Sequence, residues 1–277
     1  MKRPGDEASE AIAAALRAYG FAEVRGITPV AGDFANQPHV VTTEVGRFFV
    51  KVLGPTHGSP LALARRHAYV DHLVAKGRRV PRLIGTRTGE PVARESGGAI
   101  EVQEYVKGQP LRAEDPDDAA RAGEALARMH LSGADFVPPG AGPDSDPWGI
   151  DQDLERLRRR EQQMQTYLPA PEVTQSVQEL REGLTAAGGE LTHADLPAGM
   201  VHGDVRPQHF LRDAVGEVWV TGLDRCRRAP LLVDVSALAH AFGDSAVTAY
   251  ERLRTLTDPE RRLAPTAIRL ISIHSRI

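Results

Sequence analysis

The feature that most restricts the fold is a change of hydrophobic period partway along the chain. From Ala22 to Leu53 the apolar and β-branched residues fall in short runs, EVRGITPV, HVVTTEV and RFFVKVL, parted by AGDFANQP and by a turn at Gly46. That pattern predicts an antiparallel meander. Ahead of it, Asp6 to Tyr19 sets Ala11, Ile12, Ala15 and Leu16 on one helical face and stops at Gly20. Behind it, a helix is predicted from about Ser59 to Lys76, followed by strand-like PRLIGTR and AIEVQEYV. Beyond that point the period becomes helical, through DAARAGEALARMH, DLERLRRREQQMQTYL and VTQSVQELREGL, with Pro- and Gly-rich FVPPGAGPDSDPWG between them. Strand character returns in MVHGDV and EVWVTGL, which flank HFLRDAVG and predict a hairpin set into the helical part; the last forty residues read as helices. The fold class is therefore α+β, with a sheet-containing lobe over 1–106 and a mainly helical lobe over 107–277.

Composition removes several functional classes. Lys and Arg number 34 against 37 Asp and Glu, so a net charge of −3 provides no basic excess for a nucleic-acid backbone. Cys226 is the only cysteine, which excludes an internal disulfide framework or a cysteine-built metal site and suits a reducing, cytoplasmic setting. MKRPGDEASE has no apolar run behind its basic pair, and no stretch approaches the ~20 apolar residues that span a bilayer. Neither a nucleic-acid nor a membrane partner is expected.

The string most suited to chemistry is HGDVRPQHF. A strand ending in His-Gly-Asp before a Pro-bearing loop holds the Asp204 carboxylate where it can accept a hydroxyl proton, although a loop aspartate can also merely cap its own turn. Arg206, two residues on, has the bidentate donor geometry that suits an anionic ligand. In RFFVKVL, Lys51 sits on a strand between apolar neighbours, where a lysine serves a phosphate or, on an edge strand, snorkels to solvent. The turn AGDFANQ contributes Gly32 and small residues rather than a glycine-rich cradle. LRRREQQ reads as a solvated helix face, and Cys226, between Arg225 and Arg227, as packing.

In order along the chain, AGDFANQ, Lys51, VPRLIG, EVQEYVKG, ALARMH, VHGDVRP and DRCRRAPLLVDVSALA resemble the aminoglycoside phosphotransferase family. That family is related to the protein kinases and includes small-molecule kinases for choline, homoserine and sugars. The resemblance implies a bilobal protein-kinase-like fold and a nucleotide site for ATP or another nucleoside triphosphate. By it, the Gly32 turn and Lys51 lie on the phosphates, the backbone of Glu104, Tyr105 and Val106 meets the adenine, and Asp204 is the catalytic base beside Arg206. Mg²⁺ would hold the transferred group. His130 and Asp234 match family positions that serve structure.

Three positions depart from the pattern. Sixteen residues after Lys51, where the family carries a helix glutamate paired with the lysine, stands His67. Five residues after Asp204, where it carries a metal-binding Asn, stands His209, and imidazole is a poor partner for a hard cation. The register of Gly216, Arg225, Pro230 and Asp234 favours placing Gly222 at the metal-binding aspartate, with Asp224 two residues further along the expected strand; an alignment slipped by two makes Asp224 itself the metal ligand. The metal shell implied is an atypical one of Asp224 and His209. Two functions follow: a phosphotransferase acting on a hydroxyl of a small molecule or peptide, or a pseudokinase that binds or scaffolds a protein partner in a biosynthetic or modification complex.

Overall fold

The computed structural model describes residues 4–30, 36–54, 60–95, 98–140, 146–167 and 171–276. The chain divides into two compact units. One comprises Met1–Gln109, Asp135–Ala141 and Leu211–Asp224; the other comprises Pro110–Ala134, Gly142–Phe210 and Arg225–Ile277.

The first unit opens with helix α1 (Pro4–Ala18) and the predicted meander, β1 (Val24–Pro29), β2 (Asn36–Thr43) and β3 (Gly46–Leu53). Helix α2 (Pro60–Ala75) follows, then β4 (Leu83–Ile84), β5 (Ala93–Glu95) and β6 (Gly98–Glu104). The sheet runs β1-β2-β3-β6-β4, with β5 on β6, so β3 is an interior strand. PRLIGTR contributes only two strand residues, and β5 escapes a pattern reading because three residues cannot display a period. Ile12, Ala15 and Leu16 of α1 bury themselves on Val41, Val50, Ile100 and Val102. Tyr19 completes that docking: its hydroxyl donates to the Ile100 carbonyl at 2.5 Å and accepts from the Ala93 amide at 3.0 Å. On the other face of the sheet Leu53 and Ala99 pack with Leu63 of α2. Since side chains alternate along a strand, the residues between Val50 and Leu53 divide between two unlike surfaces.

The second unit holds helices α3 (Pro116–Ser132), α4 (Ile150–Tyr167), α5 (Pro171–Leu191), α6 (Leu232–Phe242), α7 (Asp244–Glu251) and α8 (Asp258–His274). Asp115 caps α3 by accepting from the amides of Asp117 and Asp118, and Thr257 with Glu260 forms a capping box on α8.

The expected hairpin is corrected. MVHGDV supplies β8 (Ala198–Val201), but its partner is β11 (Arg227–Pro230), whose sequence RRAP has no apolar alternation and forms a strand only through that pairing. HFLRD is itself a strand, β9 (Phe210–Asp213), lying between β10 (Val218–Val220) and β7 (Gly108–Pro110). Asp213 explains the change, because its carboxylate accepts from the amides of Val215 and Glu217 at 3.0 and 2.9 Å and closes the β9–β10 turn locally. No helix of the described residues is long and apolar enough to cross a membrane.

Candidate active site

Lys51 extends from interior strand β3 on the face opposite Val50, and its side chain is 7% exposed. This excludes the edge lysine that reaches for water. Its ammonium lies 2.8 Å from each carboxylate oxygen of Asp224. Asp224 does not project from a continuation of β10, as the sequence suggests. Gly222 has φ +73°, a left-handed conformation in which strand alternation ends, and Asp224 lies in the 3-10 turn Leu223–Arg225 that follows. Asn36 Nδ2 also donates to Asp224, at 3.3 Å, while its Oδ1 accepts from the Gly54 amide at 3.4 Å.

Around this pair is a buried polar cluster. Arg66 Nη1 lies 3.6 Å from Asp224, and Arg66 Nη2 is ion-paired with the fully buried Glu101. His67 Nε2 is 3.0 Å from the same Glu101 oxygen, and Gln103 donates to the other at 2.6 Å. His67, which stands where the helix glutamate was expected, therefore meets a carboxylate. Burial acts to raise the carboxyls of Asp224 and Glu101, but Lys51 and Arg66 at Asp224, and Arg66 and His67 at Glu101, outweigh it and hold both below their ordinary values. A small hollow adjoins the cluster, lined by Arg66, Gln103, Gly222 and Asp224 among others.

Of the expected nucleotide-binding segment, Glu104 ends β6 and exchanges hydrogen bonds with Arg82, its amide donating to the Arg82 carbonyl at 2.9 Å. The Tyr105 ring lies under the Arg47 guanidinium at 4.4 Å, and Val106 follows in irregular backbone. Gly32 lies outside the described residues.

In the second unit, the loop that carries Asp204 is held from beneath. The fully buried Asp234 accepts from the amides of His202 at 2.5 Å and Gly203 at 2.9 Å, and from His130 Nε2 at 2.9 Å. Burial would raise the Asp234 carboxyl; the His130 hydrogen bond leads the contacts that outweigh it and hold it low. His130 Nδ1 in turn lies 2.7 Å from the Tyr250 hydroxyl. The family-like His130 and Asp234 thus position the loop. The Asp204 amide donates to His202 Nδ1 at 3.1 Å, and Arg206 Nη2 donates to Asp204 Oδ2 at 2.5 Å. The anion Arg206 meets is Asp204 itself.

His209 Nδ1 lies 2.8 Å from the Asp204 carbonyl, which can only accept, so the ring proton is on Nδ1. Burial, with the neighbouring His202 adding to it, pushes His209 down to about 4, the approach of Asp204 notwithstanding. Because the folded form binds this proton less readily than the unfolded chain, His209 lowers stability as pH falls from about 6.5 towards 4, by about 1.4 kcal/mol per unit of displacement. Urea unfolding at pH 5 and pH 7 is expected to show a smaller acid loss in His209→Asn than in the parent. Equal losses would contradict this assignment.

Among the described residues no group of three or more His, Cys, Asp or Glu side chains gathers to hold a metal ion. Asp224 nonetheless fits one: a hard cation that keeps water and phosphate oxygens in its shell needs only one or two carboxylates from the protein. His209 does not, since it offers nitrogen and spends Nδ1 on the Asp204 carbonyl. Sequence reasoning missed Arg66, Glu101, Gln103 and Asn36. The available signal was Glu101 and Gln103 two apart in the strand AIEVQEYV, hence on one face.

Comparison with known proteins accords with this geometry. The sequence model described as the phosphotransferase enzyme family matches residues 26–265. A homoserine kinase of Methylocella silvestris is 26% identical over 284 residues, covering 95% of this chain and 83% of that one. A homoserine kinase of Cupriavidus pinatubonensis is 30% identical over 209 residues, 74% of this chain and 60% of that one. Among solved structures, the amicoumacin kinase hAmiN, in complex with AMP-PNP, Ca²⁺ and Ami, superposes with a TM-score of 0.71 at 17% identity, covering 91% of this chain and 81% of that one. A microcompartment-associated aminopropanol kinase gives 0.71 at 16% identity over 97% and 87% of the two chains. The α+β kinase-like fold is thereby shown.

Proposed function

The chain belongs to the phosphotransferase enzyme family, and on that footing we propose that it transfers the γ-phosphoryl group of ATP to a hydroxyl of a small molecule. The observation that carries this reading is the ion pair between Lys51, buried on an interior strand, and the partly buried Asp224 of the turn after β10. Two charges taken from water are costly to keep as a stability device, and the cost is understood if Lys51 exchanges the carboxylate for phosphate oxygens when nucleotide binds. Asp224 is the residue that would hold Mg²⁺, which when bound neutralises charge on the phosphate oxygens.

Asp204 takes the acceptor side. The acceptor oxygen forms a bond to the γ-phosphorus as the bond to the β–γ bridging oxygen breaks; ADP leaves with that oxygen, and the hydroxyl proton passes to Asp204. Arg206 occupies Asp204 Oδ2, so Oδ1 is the oxygen assigned to the proton. Asp234, through the amides of His202 and Gly203, keeps the loop in place for that transfer. The relatives named homoserine kinase and the neighbour named aminopropanol kinase favour a small hydroxyl-bearing acceptor over a peptide. They lend no support to a pseudokinase scaffold.

ADP release measured with ATP and a panel of amino alcohols and hydroxy amino acids, homoserine included, tests the reading. Lys51→Ala is expected to weaken ATP binding by about tenfold or more, the size of one lost charge-assisted contact. Calorimetry showing unchanged affinity would overturn the assignment of Lys51.

A further inference from the structure

The polar cluster on the α2 face of the sheet is a closed chain of alternating charge. Lys51 is paired with Asp224 at 2.8 Å, Asp224 stands 3.6 Å from Arg66, and Arg66 is ion-paired with Glu101. Glu101 returns to the start, because β3 and β6 pair in the register Lys51↔Glu101. Cross-strand partners on one face have Cβ atoms about 5 Å apart. Arg66, from α2, is the member that touches both carboxylates. The helix thus presents Arg66 to both carboxylates and His67 at the position of the resembled family's helix anion, while the anion stands on the neighbouring strand. Glu101 is fully buried, Arg66 is 3% exposed, and Gln103 and His67 add hydrogen bonds to the Glu101 carboxylate. An apolar cluster of equal volume would serve stability at least as well, so the retained charges point to the site rather than to the core.

We propose that Glu101 is the positioning residue of the nucleotide site, acting from β6 and through Arg66 to hold Lys51 and Asp224 in place. The proposal rests on the phosphotransferase reading. When Lys51 leaves Asp224 for phosphate, Glu101 and Arg66 retain one charge of each sign beside the two, so neither is left buried without a counter-charge.

The test transplants the carboxylate. Glu101→Gln keeps the size and one of the two acceptor oxygens while removing the charge. It is expected to raise the KM and Kd for ATP by about tenfold, with the KM of the acceptor unchanged. Adding His67→Glu puts a carboxylate back from the helix, at a side chain 3.0 Å from the one removed, and is expected to recover most of the loss. Thermal melting reports folding in each variant. ATP affinity within twofold of the parent in Glu101→Gln, or no recovery in the double variant, overturns the proposal. So does unfolding of both variants, which would assign the carboxylate to stability alone. If the parent binds ATP in a Lys51-dependent manner while Glu101→Gln is silent, only the positioning role fails. If the parent binds no ATP, the phosphotransferase reading itself fails and the positioning role with it.

Discussion

Asp204→Asn is expected to lower phosphoryl transfer by about 10²- to 10⁴-fold while leaving folding and ATP affinity unchanged. The amide has the volume of the carboxylate and can still accept from Arg206, but it cannot take up the hydroxyl proton. The loop is held by backbone contacts that the substitution does not touch: the amides of His202 and Gly203 on Asp234, the Asp204 amide on His202, and the Asp204 carbonyl on His209. The effect should therefore lie in kcat, with KM for ATP constant. Single-turnover rates with a saturating acceptor check it. A variant that retains more than a tenth of the parent rate would remove Asp204 from the role of base.

Gly203→Ala is expected to be the most damaging small substitution in the same loop, by a different route. Gly203 has φ +77°, and a Cβ built there would stand 2.4 Å from the Arg225 carbonyl oxygen and 2.8 Å from Arg227 Nη1. The backbone term costs about 1–2 kcal/mol and the forced displacement about 1–3 kcal/mol more. The obstacle is main chain, directly beyond the β8–β11 register pair Val201↔Arg227, so it cannot rotate aside. Against a stability of about 5–15 kcal/mol for an ordinary domain, this should lower the melting temperature by many degrees and displace Asp204 with the loop. Asp204→Asn, with unaltered melting, is the control. Equal melting of Gly203→Ala and the parent would show that the β8–β11 end can open to admit a methyl group.

The reach of sequence reasoning followed the range of the interaction concerned. Helices α1 to α3 were legible because their burial faces repeat within a single segment, and Lys51 and HGD stood out because each depends on its immediate neighbours. The β8–β11 pairing was not legible: RRAP has no period of its own, and its partner lies 26 to 32 residues away along the chain. The place of Asp224 was misjudged for a local reason, since a left-handed Gly222 broke the strand alternation from which its position had been extrapolated.

The sequence by itself determined the α+β class, the N-terminal meander and the longer helices, the family, and the individual side chains Lys51 and Asp204, because hydrophobic period and short motifs are written in adjacent residues. Tertiary structure alone decided which charges meet. Lys51 with Asp224 spans 173 positions, Arg66 with Glu101 spans 35, and His130 with Asp234 spans 104. Such pairings are set by strand register and by the packing of separate elements, and each buried ion depends on a partner that no local pattern names.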